Sequence, residues 1–120
     1  IMKIAISAEG KELNDRMDTR FGRAKGFIIY ETETGKADYI DNNQNLESAQ
    51  GAGIQSARTV IDAGAEALVT GNVGPKAFTA LNSAKIDIYL FNGGSINEAI
   101  TAFKEGKLIK TTDANVEGHW

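Results

Sequence analysis

Between Lys11 and Lys25 the chain carries Lys11, Arg16, Arg20, Arg23 and Lys25 against Glu12, Asp15 and Asp18. The whole sequence has a formal net charge of −3, so this stretch runs against the general trend. Arg20 and Arg23 flank Phe21-Gly22 within D-T-R-F-G-R-A, Asp18 to Ala24. A guanidinium is a rigid fork of donors that suits planar or multi-oxygen anions better than an ammonium does. A sulfide- or oxygen-rich metal cluster with net negative charge would be held in the same way. Two further segments, T-G-N-V-G-P-K-A (Thr70 to Ala77) and N-G-G-S (Asn92 to Ser95), run from turn glycines into helix starts. Free N–H groups and the positive end of the helix dipole favour an anion there. Arg20 and Arg23 would then supply charge, and Gly71, Asn72, Gly74, Gly93 and Gly94 would supply hydrogen bonds. Lys76 would add a cation just inside its helix. The same residues also read as a charged surface loop, two turns and a surface lysine.

Gly51-Ala52-Gly53 has the look of a phosphate loop, but it follows a polar connector instead of a strand, and the dinucleotide fingerprint is incomplete. Close packing at a helix start is the better account of it. His119 is the single histidine, and one imidazole does not make a structural metal site. The chain has no cysteine, which removes disulfides, thiolate ligands and thiol nucleophiles. A magnesium-dependent nuclease needs carboxylates clustered on its central strands, and neither K-I-A-I-S nor A-L-V-T holds one. The expectation is a binding protein and not an enzyme.

The elements that must position these residues follow from periodicity. Lys3–Ser7, Gly26–Glu31 and Lys36–Asp41 read as strands, the last two forming a hairpin across Thr34-Gly35. Residues 8–25 read as a long loop, of a length that is usually functional or mobile. A helix is predicted over Ala49–Ala63, with Ile54, Ala57 and Ile61 on its inner face and Val60 beside them, ended by Gly64. Ala67–Thr70 is a short buried strand. Pro75 opens a helix that buries Ala77, Phe78 and Leu81. Ile86–Phe91 is a strand, and Ser95 with Glu98 makes a capping box. That box opens a helix with Ile96, Ala99, Ile100 and Phe103 inward, closed by Gly106. The order β-β-β-α-β-α-β-α demands parallel strands with right-handed crossovers and an antiparallel N-terminal hairpin, hence a mixed five-stranded sheet in an α/β domain. One domain spans 2–106, followed by a polar tail over 107–120. In such a sheet, ligands sit beyond the carboxyl ends of the parallel strands, where the three loops carrying the candidate residues meet.

A hydrophobic share of 42% with 24% charged residues is that of an ordinary globular domain. No apolar run approaches a membrane span and no signal-peptide pattern is read, so a cytoplasmic location without membrane contact is expected. The acidic balance argues against nucleic acid.

D-T-R-F-G-R-A, then N-x7-G-A-G from Asn43 to Gly53, then T-G-N-V-G-P-K-A, occur in an order that resembles the dinitrogenase iron–molybdenum cofactor-binding family over about residues 2–105. The resemblance implies a ribonuclease H-like three-layer α/β/α fold. It also implies handling of an iron- or molybdenum–sulfur cluster at Arg20, Phe21, Gly22 and Arg23, with Gly51 and Gly53 beside the pocket, and an assembly partner. Some relatives carry histidines around the Phe-Gly pair, where this chain has arginines, so charge pairing is expected here in place of coordination. Relatives with a Cys or His near the C-terminus make His119 a candidate metal ligand. Two other readings stay open. One is a module for a nucleotide or phosphorylated metabolite. The other is an interaction module using the Lys36–Asp41 edge.

Overall fold

The computed structural model describes residues 2–43 and 51–114. Its elements are β1 (Lys3–Ala8), a single 3-10 turn (Phe21–Arg23), β2 (Gly26–Glu31), β3 (Ala37–Asp41), α1 (Ala52–Asp62), β4 (Ala67–Thr70), α2 (Pro75–Ser83), β5 (Asp87–Leu90), α3 (Ile96–Lys104) and β6 (Ile109–Lys110). One mixed sheet has the order β3-β2-β1-β4-β5-β6. β1, β4 and β5 are parallel neighbours, with Ile4 opposite Ala67 and Ala67 opposite Asp87. β2 and β3 are antiparallel, with Ile6 opposite Ile28 and Ile28 opposite Tyr39.

Strand alternation sorts the core into two layers. Ala5, Phe27, Ile29, Leu68 and Ile88 pack with Ala57 and Val60 of α1 and Ala77 and Leu81 of α2. Ile4, Ile6, Ile28, Ala67 and Val69 pack on the other face with Ile96, Ala99 and Ile100 of α3. The three-layer α/β/α expectation therefore holds.

Three details differ from the sequence reading. The sheet has six strands and not five, because Ile109 and Lys110 pair antiparallel with Leu90 and Tyr89. Lys110 Nζ also lies 2.9 Å from Asp87 Oδ1. Two residues are too few to carry a readable period, so this part of the expected tail gave no strand signal. Ile54 was placed on the inner face of its helix but is 40% exposed. Ala52, Ser56, Ala57 and Val60 form the buried stripe instead, since small residues let α1 lie close to its neighbours. The long loop over 9–25 is fixed to the sheet, through bridges pairing Ala8 with Met17, Arg16 with Ser95 and Arg20 with Asn72.

Candidate functional site

The carboxyl ends of β1, β4 and β5 lie together. The connection after β4 leads to α2 on one face, and that after β5 leads to α3 on the other. Adjacent parallel strands whose connections diverge in this way leave a crevice between them. The chain fills that crevice with its own loop. Met17 N donates to Gly94 O at 2.8 Å and Phe21 N to Asn72 O at 3.2 Å. Asn72 Nδ2 donates to Thr19 O at 3.0 Å. A Cβ at Gly71 would stand 2.7 Å from Thr19 Cβ and 2.9 Å from both Thr19 Cα and O. Gly71 is thus required by close approach of two backbones.

The root of the loop is polar and buried. Asp18 N donates to Ser7 O at 2.9 Å. Ser7 Oγ donates to Asp18 O at 2.6 Å and stands 2.8 Å from Thr70 Oγ1. Ser7, Asp18 and Thr70 are all buried. Asp18 Oδ1 accepts from Arg20 N at 2.9 Å and pairs with Arg20 Nε at 3.5 Å. The Asp18 side chain is 4% exposed and that of Arg20 is 51% exposed, so a buried carboxylate anchors a solvent-facing guanidinium.

The two expected helix ends are not equivalent. At α3, Ser95 Oγ accepts from Glu98 N at 3.0 Å and Glu98 Oε1 from Ser95 N at 2.9 Å. Ile96 N donates to Asp15 O and Asn97 N to Leu13 O, both at 2.9 Å. All four donors of that first turn are taken. Glu98's carboxyl is held below the usual glutamate range, first by the Ser95 backbone hydrogen bond, then by the Ser95 hydroxyl, with help from the Arg16 charge. The first turn of this helix therefore has no N–H left for a ligand, and Gly93 and Gly94 lie just ahead of it. The capping box was legible in the sequence, and occupation of the helix end is its direct consequence.

At α2, Gly74 is the N-cap without a side-chain hydrogen bond, Pro75 follows, and the first turn holds no acidic residue. α1 begins alike, from Gly51 in a left-handed conformation (φ 81°), with no side-chain cap and no acid in its first turn. The starts of α1 and α2 are neighbours: Ile54 shares an apolar groove of about 390 Å³ with Pro75, Lys76, Thr79 and Ala80. The 3-10 turn packs on α1, and Arg20 bridges to Asn72 ahead of α2. The starts of α1 and α2, which carry Gly51, Gly53, Gly74 and Lys76, thus lie side by side, with the turn that ends in Arg23 on α1 and Arg20 bridged to Asn72, and together they form a rim.

Phe21 and Gly22 were candidate contacts, but both are buried. The Phe21 ring lies 5.4 Å from that of Phe27, so it anchors the turn in the core. In the sequence Asp18 and Thr70 stand out only as the first residues of D-T-R-F-G-R-A and T-G-N-V-G-P-K-A, and Ser7 not at all; a short polar residue ending an apolar strand is the available signal. Among the described residues no three His, Cys, Asp or Glu side chains gather as a metal site. His119 lies outside the described residues. Among them, too, no helix is long and apolar enough to cross a membrane.

A family model described as "Dinitrogenase iron-molybdenum cofactor" matches residues 2–106. This chain belongs to that family. It is 38% identical over 112 residues to an uncharacterized protein of Methanocaldococcus jannaschii, covering 92% of each chain. The apo form of the orange protein from Desulfovibrio gigas superposes with a TM-score of 0.94 at 37% identity, over 97% of this chain and 98% of that one. A Thermotoga protein of the DUF35 family, described as a candidate NifB protein, gives 0.86 at 38%, over 98% and 100%.

Proposed function

We propose that this protein binds and carries an anionic iron- or molybdenum–sulfur cluster, or a precursor of one, without catalysing a reaction. The observation that carries the proposal is the rim at α2. There a helix start with neither a side-chain cap nor an acidic residue is joined to Arg20 through the Asn72 bridge. First-turn N–H groups have no intrahelical acceptor and favour negative charge. A cluster fits this donor set as a hydrogen-bonded and charge-paired anion. The chain has no cysteine, and among the described residues no three His, Cys, Asp or Glu side chains gather, which disfavours direct ligation by the described residues. Family membership supports the chemical class of the cargo. Arg20 would pair with the cargo's charge, Arg23 would add to the local potential, and Lys76 would extend it. A partner in cofactor assembly would receive or supply the cargo.

The test is anaerobic purification with elemental analysis for Mo, Fe, Cu and Zn and a visible spectrum. Reconstitution with iron, molybdate and sulfide follows. A charge-transfer band that the Arg20→Ala/Arg23→Ala variant loses is the expected result. A colourless, metal-free protein that refuses reconstitution refutes the proposal. A melting-point rise with nucleotides or sugar phosphates in that same protein would assign the rim to phosphate esters.

A further inference from the structure

Arg20 is an exposed cation at the rim, and a long side chain at 51% exposure ordinarily samples many rotamers. Here it does not stand alone. Asp18, two residues earlier, is nearly buried and is held by its main chain in both directions against Ser7: Asp18 N to Ser7 O at 2.9 Å, and Ser7 Oγ to Asp18 O at 2.6 Å. Ser7 is itself on the central strand and contacts Thr70 at the end of the next. The main chain of Asp18 is therefore tied to the sheet, and its nearly buried carboxylate has little room to move. A buried carboxylate needs a counter-charge, and among the described residues Asp18's ion pair is with Arg20 through Nε.

Pairing through Nε has a geometric consequence. The guanidinium is planar, with one donor on Nε and four on the two Nη atoms. With Nε tied to Asp18, the edge formed by the two Nη atoms is the one left for a bidentate contact with an anion. We infer that Asp18 is a positioning residue, which fixes the plane of the Arg20 guanidinium and directs its Nη edge to the anion at the rim. The inference rests on the anion-site reading given above. It makes a counterintuitive statement, because simple Coulomb repulsion says that deleting a negative charge beside an anion site should tighten binding. Positioning says that it weakens it.

The experiment uses the full chain and molybdate as the probe. Affinity is measured for wild type, Asp18→Asn, Arg20→Ala and the double variant, while the Arg20 Nε–Hε signal is followed by NMR. Asp18→Asn keeps an acceptor for Arg20 N but removes the charge that holds Nε. Molybdate affinity should fall about 3–10-fold in the wild-type background and stay unchanged in the Arg20→Ala background, a coupling typical of groups in contact. The Nε–Hε signal, sharp and slowly exchanging in wild type, should broaden or exchange faster. Tighter binding by Asp18→Asn, equal losses in both backgrounds, or an unchanged Nε–Hε signal would each overturn the inference. If Asp18→Asn does not fold, Arg20→Lys decides: it keeps the charge but has no Nε, and wild-type affinity in that variant overturns the inference. If wild type itself does not bind molybdate, the anion-site reading fails for this probe, and the Nε–Hε comparison still decides whether Asp18 orders Arg20.

Discussion

Gly71→Ala is expected to destabilise the fold by about 2–3 kcal/mol, although it adds one methyl group at a loop position. The new Cβ would lie 2.7 Å from Thr19 Cβ and 2.9 Å from Thr19 Cα and O, all closer than a Cβ approaches a non-bonded carbon or oxygen. Two of those three atoms are backbone, so no rotamer change relieves the contact. Nor can the 17–21 segment back away freely, since Met17 N, Asp18 N and Phe21 N are tied to Gly94, Ser7 and Asn72. Overpacking of a tight site costs about 1–3 kcal/mol, and lengthening one neighbouring hydrogen bond adds about 0.5–1.5 kcal/mol. In a domain of this size that lowers Tm by on the order of 6–12 °C. Urea unfolding followed by far-UV circular dichroism measures it directly. Thr19→Ala retains Cβ, and therefore all three contacts, so it should not rescue the variant. A Gly71→Ala protein within 0.5 kcal/mol of wild type, or one fully rescued by Thr19→Ala, would refute the close-approach argument.

Asn42 is fully buried and its Nδ2 donates to Ala24 O at 2.9 Å and Ser56 Oγ at 3.0 Å; Asn42→Leu strands those acceptors and should cost about 1–3 kcal/mol in a urea titration. Ser95→Ala removes the cap of α3 and should cost about 1 kcal/mol by the same assay. Because the Glu98 carboxyl is held low in the folded chain, its contribution is present above the ordinary glutamate pKa and is lost as pH falls through the lowered one. Glu98→Gln should therefore flatten that part of the acid limb of a stability–pH curve. Lys110 is shifted the other way, upward, chiefly by its hydrogen bond to Asp87. Its contribution is present below the ordinary lysine pKa and is lost as pH rises through the raised one, so Asp87→Asn should remove a stability loss seen only in strong alkali.

The sequence exposed what short-range physics controls. Alternating Ile4 and Ile6, the apolar run in β2, Pro75 at a helix start and the Ser95–Glu98 box each determine their own neighbourhood, and each is where it was expected. What stayed hidden depends on partners far along the chain. Ile54 satisfies helical spacing and still faces out, because α1 approaches its neighbours through Ala52, Ser56 and Ala57. Phe21 resembles a site residue by its place between two arginines, yet its ring is spent on Phe27. Gly71 reads as a donor because it precedes a helix; that its lack of a side chain is also needed by Thr19, more than fifty residues earlier, is not visible locally. β6 exists only because β5 offers an open edge.

The plugged crevice changes what kind of ligand the fold can serve. In a sheet whose connections diverge between β4 and β5, a cofactor would ordinarily lie deep between the two loops. Thr19 stands there instead, against Gly71 and with its Cγ2 3.7 Å from where a Cβ on Gly93 would be. The capping box takes the α3 helix end as well. On the proposed reading, both features leave a ligand the rim made by Arg20 and the starts of α1 and α2. A group held there keeps one side toward solvent and is retained by charge and hydrogen bonds, which salt weakens. Such retention poorly suits a permanently buried prosthetic group. It suits cargo that is loaded and passed on, and on the proposed reading the chain's own loop is what makes this member of the family a carrier.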